Sequence, residues 1–249
     1  MSVDTTWDDE NVRGAQLYQQ GKYTEAEQAF RAALEAAEKL GPADTRVAVV
    51  LNNLASLCHN QRKLPEAQAL YERALAIRRD TLGPHHPMVA QSLNNLSSLY
   101  RELGRHEEAE QFSTQAVAIA EGVFGPDHYR ITNCLNNLGA VYAARGRYAD
   151  AEQCFQRTLT IRRRFFGDND PTVATTLSGL AELAVAQAKH AEAEPLFQRA
   201  LAIREEQLGG EHPSVATLLE KFAVLLRQTE REAEAKAMET RARDIRAKQ

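Results

Sequence analysis

Leu93-Asn94-Asn95-Leu96 opens the stretch LNNLSSLYRELGRHEEAEQF (93–112), and its copies decide the fold. The same four letters stand at Leu51-Asn52-Asn53-Leu54 and at Leu135-Asn136-Asn137-Leu138, each 42 residues apart. In the same slots they decay to Leu177-Ser178-Gly179-Leu180 and Leu219-Glu220-Lys221-Phe222. Two further markers hold the 42-residue step: Ala67, Ala109, Ala151, Ala193 and Ala235, and Gly41, Gly83, Gly125, Gly167 and Gly209. Three markers in one register mean a repeat array, in which each unit is a supersecondary element stacked on the next.

Within a unit the period is helical. Leu93, Leu96, Ser97 and Tyr100 fall at i, i+3, i+4 and i+7, one stripe of an α-helix, and Ala109, Ala116, Val117 and Ala120 form a second stripe after Gly104. The fourth unit repeats this with Leu135, Leu138, Gly139 and Tyr142, then Ala151, Phe155 and Leu159. Each unit is thus an αα-hairpin, with small residues where its helices approach. Gly104 and Gly146 stand where the first helix must end and positive φ costs only glycine little. His86-Pro87, Asp170-Pro171 and His212-Pro213 mark the next start, since Pro at the first helical position loses no hydrogen bond. Asp44-Thr45 and His128-Tyr129 are weaker versions of that cap. The first unit is one residue short, Ala26 to Ala67 being 41, which predicts a shortened second helix between Leu34 and Leu40.

The expected architecture is all-α: a solenoid of about six antiparallel helix pairs, without strands, as one domain over 1–249. Repeats are expected at about 7–44, 45–86, 87–128, 129–170, 171–212 and 213–249, with a polar last helix as cap and the first helix after about ten residues.

Composition sets the function classes. The chain has 249 residues, 43% hydrophobic and 26% charged, values of a folded globular protein. Its formal charge of −4 argues against a nucleic-acid partner. Its longest apolar runs, such as Val47 to Leu51, are far below the roughly 20 residues of a membrane span. The acidic start MSVDTTWDDE reads as no secretory signal. Three cysteines without zinc-type spacing fit a reducing, cytoplasmic compartment. Cys134 and Cys154, on the two helices of one hairpin, read as reduced thiols.

Catalytic motifs are missing: there is no glycine-rich phosphate loop, HExxH, GxSxG or CxxC. His86, His128 and His212 share one register, but Asp44 and Asp170 stand in it too, so capping rather than metal binding is expected. No catalytic residue, metal or cofactor is therefore expected. The run Arg162-Arg163-Arg164, echoed by Arg78-Arg79, reads as a solvated second-helix face.

The motifs LNNLSSLYRELGRHEEAEQF and LNNLGAVYAARGRYADAEQCF, with linkers LGPHHPMVA and LGGEHPSVA, resemble the tetratricopeptide repeat of the 42-residue, kinesin-light-chain-like type. The resemblance covers about residues 10–235. No heptad region stands ahead of the repeats, so it supports the repeat module rather than a motor-subunit role. It implies a right-handed superhelical solenoid with first helices on its concave side, forming a groove for a protein or extended peptide.

Projected on that groove are Asn52, Asn53, Asn94, Asn95, Ser98, Arg101, Asn136, Asn137 and Lys221. An amide has donors and an acceptor and can pair with a peptide backbone whatever its side chains. The same asparagines could instead bond to the adjacent hairpin, and the pattern leaves both readings open. Ala140, Ala143, Ala144, Val185 and Ala186 would form an apolar patch for a ligand side chain. Arg101 and Lys221 would favour acidic ligands while Glu102, Glu182 and Glu220 oppose them, so no charge preference is read. The expected function is a non-enzymatic adaptor, monomeric or weakly self-associating. The alternative is a structural module that forms homo-oligomers through solenoid ends or the convex face.

Overall fold

The computed structural model describes residues 3–248. Among them are twelve α-helices and no strand. The helices are α1 (Val3–Gln19), α2 (Tyr23–Glu38), α3 (Thr45–Asn60), α4 (Leu64–Leu82), α5 (Pro87–Glu102) and α6 (His106–Phe124). After a 3-10 turn at Tyr129–Ile131 come α7 (Thr132–Ala144), α8 (Tyr148–Phe166), α9 (Pro171–Ala186), α10 (His190–Leu208), α11 (Pro213–Gln228) and α12 (Glu232–Ala247). They form two compact units, Met1–Pro126 and Asp127–Gln249, each built of three helix pairs.

The pairing follows from the small residues. Ala26, Ala67, Ala109, Ala151, Ala193 and Ala235 are all fully buried at one register of the second helix, where a larger side chain would hold the rods apart. Around them lie Leu93, Leu96, Tyr100, Leu135, Phe155 and Leu159, the residues of the 3.6-period stripes. Each large apolar side chain so buried contributes about 1.5–3 kcal/mol.

Turns obey the expected chemistry and extend it. Each first helix ends in a Schellman motif, in which Arg105 N–H donates to Tyr100 O (2.8 Å) and Arg147 N–H to Tyr142 O (2.9 Å). Gly104 and Gly146 take φ of 74° and 73° there, but Arg62, Ala188 and Glu230 hold the same slot at 62°, 56° and 61°. At the next boundary all five caps form. The Asp44 and Asp170 carboxylates accept from the backbone N–H two residues on (2.8 and 2.7 Å). His86, His128 and His212 do the same through Nδ1. Where Tyr129 replaces the proline, the helix opens with the 3-10 turn.

α2 is three residues shorter than α4, 16 against 19, in agreement with the missing residue. α1 starts at Val3, earlier than the pattern placed it, and half-buried Trp7 packs on the cluster of Ala37, Val47, Ala48 and Leu51. That contact gives the extra turn an apolar anchor.

One reading is corrected. Arg163 and Arg164 are exposed, but Arg162 is 3% exposed and Arg78 only 2%. Arg162 donates to Thr172 O (2.7 Å), Thr176 Oγ1 (2.9 Å) and Asn133 Oδ1 (2.8 Å). Arg78 donates to Met88 O and Ser92 Oγ, and Arg204 to Ser214 O. Each guanidinium thus ties a second helix to the first turn of the next pair. Burial without a carboxylate partner pushes the Arg78 and Arg162 pKa values down to about 10.

Inner and outer sides can be told apart within each unit. α1 touches α3 in the first unit, and α9 touches both α7 and α11 in the second, whereas successive second helices make no such contact. First helices therefore lie on the tighter side of each stack. Second helices are bridged by long side chains, as in Arg31–Glu66 (3.0 Å) and Arg241–Glu205 (2.6 Å).

Candidate functional site

In the first unit the asparagines lie where neighbouring first helices meet, at a register offset from the buried leucines of the same helix. In the first unit, α3 and α5 bring Asn52, Asn53, Asn94 and Asn95 together. Asn95 Nδ2 donates to Asn52 Oδ1 (2.8 Å), and Asn53 Nδ2 donates to Asn11 Oδ1 of α1 (2.9 Å). A third amide, Asn60, donates to the Tyr18 hydroxyl. Adjacent pairs are thus stitched through side-chain amides. Asn52 is buried, while Asn53, Asn94 and Asn95 are half-buried. An amide has two donors and an oxygen with two lone pairs, so one bond does not exhaust it.

Ser98 and Arg101, on the same face of α5, are half-buried. Arg101 Nε is enclosed without an acceptor. Beside it Glu102 is held by Arg62, and His59 Nε2 lies 3.0 Å from its carboxylate.

In the second unit, Asn136 and Asn137 are half-buried on α7, whereas Lys221 lies on α11 with α9 between them, so the fold does not bring these three together. Lys221 Nζ donates to Glu182 Oε1 (2.6 Å), which neutralises both residues. The column lacks an amide at α9 for a packing reason. A Cβ on Gly179 would stand 3.0 Å from the Phe155 ring, and one on Gly139 would stand 3.0 Å from the same ring. Phe155 therefore wedges between two glycines, which explains Gly179 where the earlier repeats carry Asn53, Asn95 and Asn137.

The thiols are quiet. Burial pushes Cys58, Cys134 and Cys154 up to about 11, far from the thiolate range of a nucleophile. Among the described residues, no group of three His, Cys, Asp or Glu side chains could hold a metal ion. No helix among them is long and apolar enough to cross a membrane.

One surface cluster escaped the sequence reading. Tyr129 lies 5.6 Å from Phe165 and 5.4 Å from Phe166, with His128 6.0 Å from Phe165. Phe165 and Phe166 are 46% and 44% exposed. The available signal was aromatic rings where the repeat has none: Thr45, Pro87, Pro171 and Pro213 fill the slot of Tyr129, and Thr81, Val123 and Gln207 that of Phe165.

The profile of the tetratricopeptide repeat matches residues 9–78, 46–122, 113–164, 130–206 and 172–248. Among solved structures, BtubC (BKLC) from P. vanneervenii is 22% identical, with 89% of each chain covered and a TM-score of 0.68. A putative kinesin light chain from Podosopora anserina with nearly identical TPR-like repeats is 22% identical. It covers 83% of this chain and 98% of its own, with a TM-score of 0.66. A Rap protein complexed with Competence and Sporulation Factor is 17% identical over 100% of this chain and 77% of its own, with a TM-score of 0.72. No curated protein matches the sequence.

Proposed function

Because the chain belongs to the tetratricopeptide repeat family, we propose that it is a non-enzymatic adaptor that holds a partner segment in extended form on the inner face of its first helices. The observation that carries this reading is the amide row of the first unit. Asn53 and Asn95 are each fixed by one hydrogen bond to the preceding pair. An amide so oriented keeps a carbonyl and a second N–H for the main chain of a ligand, with little ordering cost left to meet. The structural and the ligand-binding readings of the asparagines are then one arrangement, in which the stitch orients the binding group. Support also comes from the Rap protein, whose fold is similar and which was solved with Competence and Sporulation Factor.

Under this reading the groove residues are Asn52, Asn53, Asn94, Asn95, Ser98 and Arg101 in the first unit and Asn136, Asn137 and Lys221 in the second. The partner is a protein or peptide, the chain is a monomer or weak oligomer, and its quiet thiols suit a cytoplasmic setting. Changing Asn53, Asn95 and Asn137 together to Ala is expected to preserve helicity by circular dichroism and abolish partner capture in a comparative pull-down. Capture at unchanged affinity removes the groove assignment.

A second reading, homo-oligomerisation through the outer surface, is favoured by the exposed Phe165 and Phe166. Light scattering over a range of concentrations separates the two, since a strict monomer eliminates it.

A further inference from the structure

In the second unit the inner surface changes character. α9 and α11 place Val185 and Val224 on either side of a half-open cavity of about 130 Å³, with Phe197 of α10 at its floor and Glu182 and Lys221 at its rim. Val224 is 48% exposed, although its neighbours Ala223 and Leu225 are buried. The floor is rigid, because Phe197 is buried and stacks on Phe222 with centroids 5.4 Å apart and planes at 17°.

Stacking does not require this hollow. One, two and three repeats earlier the slot of Val224 holds Glu182, Ala140 and Ser98, and that of Val185 holds Ala143, Arg101 and His59, so the repeat itself does not call for two valines there. An apolar cavity of about 150 Å³ suffices to hold benzene. The hollow therefore takes a Leu, Ile or Met side chain and excludes an indole.

The rim says what flanks that side chain. Glu182 Oε1 is held by Lys221 (2.6 Å) and by the Ser178 hydroxyl (3.2 Å). A paired carboxylate and ammonium carry no net charge. Together they offer an acceptor and a donor, which match the N–H and C=O of a peptide main chain.

We infer that the second unit carries a subsite for an aliphatic anchor: an extended peptide lays one Leu, Ile or Met between Val185 and Val224, over Phe197, with its main chain on Glu182 and Lys221. This rests on the groove reading and adds to it the side chain selected.

The test follows valine methyl and asparagine side-chain resonances of the full chain by NMR during titration with acetyl-Gly-Ser-Leu-Ser-Gly-amide and its Ala and Trp counterparts. The Leu peptide should shift Val185 and Val224 with saturation, and the others should bind about tenfold or more weakly, the discrimination expected from lost methylenes or poor fit. Val224→Asp, at a half-exposed position, should keep the helical spectrum and abolish the Val185 shift. Equal titration by the Ala peptide, no shift with the Leu peptide, or a Val185 shift that survives Val224→Asp overturns the subsite. Shifts at the Asn53 and Asn95 amides without shifts at the two valines overturn the subsite alone and leave the groove reading standing. Silence at the amides while the valines respond overturns the amide row instead.

Discussion

The side-chain amide of Asn95 donates to the carbonyl oxygen of Asn52, 2.8 Å away, and joins α5 to α3 on the inner side of the first unit. Asn52 is only 8% exposed, so its oxygen has little access to water once that donor is gone. A buried acceptor left unpaired costs about 1–3 kcal/mol. Asn95→Ala is expected to lower stability by about that amount. Asn95→Asp should cost more, because a carboxylate would then face an oxygen. Urea midpoints of the three chains check this order, and equal midpoints refute it.

Neighbouring arginines should behave very differently. Arg162 makes three hydrogen bonds in a buried site, whereas Arg163 is exposed and paired with Asp168 (3.0 Å). Arg162→Ala strips three acceptors of their donor and opens a void, at a cost of about 2–4 kcal/mol. Arg163→Ala should stay within about 0.5 kcal/mol, as exposed ion pairs contribute little. Similar losses for both would mean that the buried tie carries no weight.

Ala188 occupies the left-handed slot at φ 56° that Gly104 fills at 74°. A side chain there costs roughly 1–2 kcal/mol, part of which glycine returns through its freer unfolded chain. Ala188→Gly should therefore raise stability by about 0.5–1 kcal/mol, with Gly104→Ala moving the opposite way. A lower urea midpoint for Ala188→Gly counts against the assignment.

Thiol chemistry gives a prediction in pH. The folded pKa of Cys134 is raised to about 11 from an ordinary 9.0 by burial. The folded chain then keeps a proton that the unfolded chain has lost. Stability is fully present below pH 9, falls as pH climbs from there, and levels off above about 11. At pH 8 a chromogenic disulfide reagent should label the folded chain about a hundredfold more slowly than the urea-unfolded chain. Comparable rates would show an accessible, ionised thiol.

Periodicity made the helices, their pairing and their caps legible, because each depends on residues close in the chain: Leu93 with Leu96, Gly104 at a helix end, Asp170 before Pro171. What escaped depends on a neighbour across a gap. Arg162 is buried by the first turn of the following helix, ten residues on at Thr172, and no helical projection of α8 contains that turn. Its one signature was the shared register of Arg78, Arg162 and Arg204, where the adjacent column alternates Arg79, Glu121, Arg163 and Glu205. The Asn95–Asn52 bond was open for the same reason, since a column of amides reads alike whether it faces a ligand or the next repeat. Gly179 looked like decay until the Phe155 ring was seen against it.

The two ways of linking neighbouring pairs give the first unit a mechanical polarity. Short amides such as Asn53 and Asn11 can span only a narrow seam, like stitches in the spine of a book. The Arg31–Glu66 bridge is a long, solvated lever along the fore-edge, and added salt weakens it. The pages can fan at that edge while the binding stays sewn, so a strand held there as proposed would lie along the part of the first unit that moves least.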